Sequence, residues 1–102
     1  MIRVMVLYPD TPGSKFDFDY FAGSHLRLLK EKLGTALKDA EFVKGVSDTA
    51  GGPAPYVAIA NLLFESTDAF TRAMGPVGDE LMGDVPVYTD IQPVMQISEV
   101  IS

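Results

Sequence analysis

Along residues 2–8, IRVMVLY, apolar side chains fall on both parities: Ile2, Val4, Val6 and Tyr8 on one, Met5 and Leu7 beside Arg3 on the other. The β-branched content and the period of two predict a strand. PDTPG, residues 9–13, reads as a turn, because its prolines preset φ and its glycine accepts φ above zero. From Asp17 to Gly34 the period becomes helical, with Phe18, Phe21, Ala22, His25, Leu28, Leu29 and Leu33 on one stripe. Asp17 is suited to the N-cap, and Phe16 and Phe21 to the N′ and N4 places of a hydrophobic staple. Lys30 and Lys32 oppose the helix dipole near its end, and Gly34 is a natural stop.

The second half repeats the alternation. Residues 39–48, DAEFVKGVSD, predict a weaker strand, and 49–55, TAGGPAP, a flexible connection. YVAIANLLF, 56–64, is apolar at nearly every position and predicts a central strand buried on both faces. Ser66 or Thr67 caps a second helix with Ala69, Phe70, Ala73 and Met74 on its apolar side. Residues 75–90 are interrupted by glycine and proline, with room for one short helical turn after Pro76. The last strand is expected over 91–101, at an edge, because Pro93 cannot donate to a ladder.

This order is β-α-β-β-α-β, an α+β, ferredoxin-like arrangement with a four-stranded antiparallel sheet, in one domain over residues 1–102. Two helices cover one face of such a sheet. The first and third strands carry apolar residues toward the other face as well. A large wet apolar face marks an interaction surface, and two sheets packed about a twofold axis would cover it. A homodimer is therefore expected; the alternative is that residues 76–90 cover that face.

Composition narrows the classes. The chain has 102 residues and no cysteine, which excludes a disulfide scaffold, a thiol nucleophile and a Cys-ligated metal. A net charge of −6 and no basic stripe argue against nucleic acid and anionic membranes. The N-terminal apolar run is short and interrupted, so it reads as a strand rather than a signal peptide. No apolar stretch reaches the roughly 20 residues a membrane span needs. A cytoplasmic protein is the simplest expectation.

Candidate chemistry centres on His25, the only histidine. Its spacing puts it on or beside the buried stripe. A buried imidazole needs hydrogen-bond partners and tends to stay neutral. Spacing alone leaves open a core histidine or a general base. The topology brings Tyr8, Tyr20, Tyr56 and Tyr88 toward one end of the sheet, where they line a pocket mouth or serve as packing at the rim. Asn61, in the central strand, is a sheet polar group unless its side faces the pocket. No Gly-rich phosphate cradle, second histidine or nucleophile elbow is present, and GDELMGD at 78–84 lacks calcium-loop spacing. No metal and no cofactor is called for.

FDFDYFAGSHLRLL, residues 16–29, resembles the signature of the EthD family, named from ethyl tert-butyl ether degradation. Phe16, Asp17, Tyr20, His25 and Leu28 match that pattern, with Phe21 in place of a second tyrosine and Arg27 in place of a proline. VPVYTDIQPVMQISEV, 85–100, is similar to the family's last segment. The resemblance implies a dimeric α/β barrel and a functional part for His25. It implies no particular reaction, since wider relatives of the barrel include cofactor-free monooxygenases, isomerases, polyketide cyclases and haem enzymes. The expectation is a small homodimeric protein of catabolism that binds an apolar or aromatic metabolite between sheet and helices. In an enzyme, His25 would be the acid/base, with Tyr20 or another rim tyrosine polarising a substrate oxygen, and Tyr8, Phe21, Tyr56, Asn61 and Tyr88 lining the site. The alternatives are a non-enzymatic binding or accessory protein and, thirdly, haem held through His25.

Overall fold

Four strands, β1 (Ile2–Pro9), β2 (Asp39–Lys44), β3 (Tyr56–Phe64) and β4 (Val94–Glu99), form one antiparallel sheet in the order β2-β3-β1-β4. The computed structural model describes residues 1–102. β1 and β3 are the inner pair, in register from Ile2 opposite Phe64 to Tyr8 opposite Ala58. β4 is an edge strand that begins one residue after Pro93, whose missing N–H ends the ladder there. β2 stops at Lys44, short of the expected Asp48. There Gly45 runs so close to the Tyr56 carbonyl that a Cβ would stand 2.2 Å from it. Asp48 Oδ1 then accepts from the Ala50 and Gly52 amides and folds the loop into a tight turn.

The first helical segment starts as expected. Asp17 accepts from the Tyr20 amide at 3.1 Å, and the Phe16 and Phe21 rings meet at 5.0 Å. It is not one uniform helix. α1 (Phe18–Tyr20) passes into a π turn (Phe21–His25) and then α2 (Leu26–Leu33), closed by Gly34 at φ 56°. In an α-helix each step of four residues overshoots a full turn by about 40°. The wider π turn takes back part of that drift. Phe21, His25, Leu29 and Leu33, each four apart, are consequently all buried against the sheet.

Ser66 caps α3 (Thr67–Met74) by accepting from the Ala69 amide. The segment expected to hold one helical turn instead forms α4 (Gly78–Gly83) and α5 (Val85–Tyr88). Leu81, Val85 and Tyr88 pack on the same side of the sheet as α2. Residues 76–90 therefore do not cover the other face.

Two layers result, and the molecule measures 38 × 33 × 19 Å. The even-numbered residues Ile2, Val4, Tyr8, Ala58, Ala60, Leu62 and Phe64 form the core under the helices. Each fully buried Leu or Phe contributes about 2–3 kcal/mol. The odd-numbered Met5, Leu7, Val57, Ile59 and Leu63 are only partly covered. Within one chain β3 is thus fully buried on one face only, because all helices lie on one side. No helix is long and apolar enough to cross a membrane.

Candidate functional site

His25 ends the π turn and is 5% exposed. Its ring lies 4.7 Å from Tyr88 and stacks on Phe21 at 6.2 Å. Its Nδ1 is 2.8 Å from Oδ2 of Asp84. A carboxylate only accepts, so Nδ1 carries the proton and Nε2 of the neutral ring keeps a lone pair. Every buried side-chain nitrogen and oxygen has a partner, and Nε2 makes no hydrogen bond. Nε2 therefore meets open space. His25 borders a cavity of about 40 Å³ between sheet and helices, and every other lining residue is hydrophobic.

Asp84 sits at the junction of α4 and α5, where backbone turns without a periodic pattern. Its second oxygen, Oδ1, accepts from the Tyr20 hydroxyl at 2.8 Å. This bond to the carboxylate holds the Tyr20 phenol above its usual range. Tyr20 therefore spends its single proton on Asp84. The expected role of polarising a substrate oxygen does not fit that hydroxyl; its bond orients the carboxylate instead.

The chain around the site is tied to α1. Asp17 donates its amide to the Tyr88 carbonyl at 2.7 Å, and the Thr89 hydroxyl donates to the Lys15 carbonyl at 2.6 Å. These bonds fix Tyr88 beside His25. The Tyr88 hydroxyl stands 2.5 Å from the Tyr8 hydroxyl. Burial pushes the Tyr88 phenol far above its usual range, helped by the bond to Tyr8. Burial raises Tyr8 too, although its bond to Tyr88 acts the other way. Both remain protonated across physiological pH. Two hydroxyls share one hydrogen bond, so one proton of the pair is left for a third group.

Tyr8, Tyr20, Phe21, His25 and Tyr88 thus come together. Two expected members do not. Asn61 pairs with Met5 and Glu41, on the face of the sheet away from His25, since side chains alternate along β3. Tyr56 is 37% exposed at the start of β3 and lies outside the ring cluster. Asp84 is the residue that sequence reasoning missed. It lies 59 positions from His25, and its segment GDELMGD has no periodic pattern that points to an imidazole.

A larger depression, about 480 Å³, lies beside Phe18, Lys44 and residues 10–14. It touches none of His25, Tyr20 or Asp84, and Asp10 and Lys44 are its only charged lining residues. No three His, Cys, Asp or Glu side chains cluster in a way that would hold a metal ion. The cavity of about 40 Å³ beside His25 is far smaller than a haem.

No protein-family model and no curated protein matches the chain. Solved structures do. The crystal structure of an EthD-like protein from Ralstonia eutropha is 40% identical, covers 99% of this chain and 92% of its own, and has a TM-score of 0.93. An ethyl tert-butyl ether (EthD) family protein from Bacillus halodurans is 17% identical, with 99% of both chains covered and a TM-score of 0.69. An Arabidopsis thaliana protein is 18% identical, with 100% of this chain and 97% of that chain covered and a TM-score of 0.71. The last two share the fold. With identity at the first level along nearly the whole length of both chains, the present chain belongs to the EthD-like family.

Proposed function

We propose that this protein binds a small, mostly apolar molecule against His25 and moves a proton on it, acting as a homodimer in the catabolism of such molecules. The supporting observation is the state of the imidazole: Nδ1–H is held by Asp84 at 2.8 Å, Nε2 makes no hydrogen bond, and His25 lines an apolar cavity. A lone pair at Nε2 suits a general base. Asp84 fixes the tautomer and stabilises the imidazolium that forms, as a buried carboxylate does in other His–Asp pairs. Tyr20 keeps Asp84 in place. Tyr8 borders the same cavity. With Tyr88 donating to it, the Tyr8 hydroxyl donates to the substrate oxygen.

The matching substrate carries an acidic C–H next to a carbonyl. The proton passes from carbon to Nε2, and the charge that develops on oxygen meets the Tyr8 hydroxyl. Isomerisation, cyclisation and cofactor-free oxidation all begin with that step. The catabolic context comes from the family name, which refers to ethyl tert-butyl ether degradation.

The homodimer rests on the uncovered face of the sheet. Met5, Leu7, Ile59 and Leu63 lie there with no helix over them.

The test is solvent-deuterium exchange into a panel of small ketones and esters, followed by NMR. The wild type should accelerate exchange for at least one member. His25→Gln should lower that rate about 10²-fold or more. Asp84→Asn should do nearly as much, because an amide donating to Nδ1 would move the ring proton to Nε2. Undiminished exchange by His25→Gln would refute the catalytic part. Ligand affinity without exchange in any protein would leave the non-enzymatic binding protein.

A further inference from the structure

We propose that Met82 and Met95 are adjustable jaws of the His25 cavity, and that they set the width of a neutral, largely hydrocarbon ligand. This rests on the ligand-binding reading above.

Among the residues that line the cavity, His25 and Val4 are 5% and 1% exposed, while Met82 and Met95 are 40% and 43% exposed. They stand on different walls, Met82 on α4 and Met95 on the edge strand β4 opposite Val6. Met74, at the end of α3, is a third methionine lining the cavity, so three of the chain's five methionines gather here.

Size makes the jaws necessary. Apolar cavities that hold benzene are about 150 Å³, against about 40 Å³ here. A ring therefore enters only if lining side chains move. The sheet residues Val4, Ala60 and Leu62 are fixed by packing on the core. Methionine is unbranched and turns about three bonds at little cost. At exposed positions it swings outward without leaving a void behind.

The lining also selects by charge. No charged side chain faces the cavity, and His25 is its only nitrogen-bearing side chain. An ionised ligand would lose its hydration there with no countercharge. A neutral ligand with one hydrogen-bonding group at its leading end is favoured.

The lone histidine makes the test direct, since the protein has a single imidazole ring to follow by NMR. Benzene and naphthalene are titrated into wild type, Met82→Ala/Met95→Ala and the volume-conserving Met82→Leu/Met95→Leu. Binding is read from the shift of the His25 ring proton and its NOE to the probe. Benzene should bind the wild type. Naphthalene should bind the alanine pair at least tenfold more tightly than the wild type. The leucine pair, branched and stiffer, should bind benzene at least fivefold more weakly. Equal affinities in all three proteins would overturn the jaws and leave the cavity as a binding site. No NOE to His25 with either probe in any protein would overturn the binding reading, and the jaws with it.

Discussion

At the scale of the residue, the site is a chain of phenols and one carboxylate around one imidazole. Tyr20 donates to Asp84, Asp84 accepts from His25, and Tyr88 pairs with Tyr8. Tyr8 and Tyr88 give the protein an alkaline limit. Both folded-state pKa values are raised above the ordinary 10.0 of a phenol. Their stabilising contribution is complete below pH 10. Above it the unfolded chain releases protons that the folded one retains, and stability falls by up to about 1.4 kcal/mol per pH unit for each phenol. Urea denaturation from pH 9 to 11.5 should show this decline, and Tyr8→Phe/Tyr88→Phe should flatten it. An equally steep decline in the double variant would remove the phenol pair as its cause. His25 and its stripe were legible at this scale, because helical spacing is local. Asp84 was not, because it acts from a junction without a period, 59 positions away.

At the scale of the element, caps and patterns carried most of the information. Asp17, Ser66 and Gly34 mark helix ends in the sequence, and each occupies that place in the fold. Ser66→Ala should cost about 1 kcal/mol by leaving the Ala69 amide without its acceptor. Chemical denaturation measures that cost; an unchanged midpoint would show that water replaces the cap. The π turn was not legible. Gly23 and Ser24 weaken the α-helix there without specifying a π turn, and the turn widens because the sheet below demands Phe21, His25, Leu29 and Leu33 on one line. α4 and α5 escaped for a related reason. They are short, and packing on the core rather than propensity holds them.

At the scale of the whole molecule, the open face of the sheet is decisive. Alternation in β1 and β3 already showed apolar residues toward both sides. The fold places every helix on one of them. Covering the other with a second copy predicts a sedimenting species of twice the 11.0 kDa chain mass. Leu7→Glu/Ile59→Glu should return it to the single chain, since each copy would carry two carboxylates without partners into the interface, four in all. A wild-type chain that stays single at high concentration would dismiss the dimer.

The sequence by itself determined where strands and helices fall along the chain, the caps of the helices and the place of His25 on a buried stripe. Each depends on periodicity or on a cap, and both act between near neighbours. Only the tertiary structure decided that Asp84 bonds the imidazole Nδ1, and that Tyr20 serves the carboxylate. It also drew three methionines to one cavity. Those outcomes depend on distances between residues far apart in the chain. Packing of α4 and α5 on the sheet sets these distances, and no local pattern encodes them.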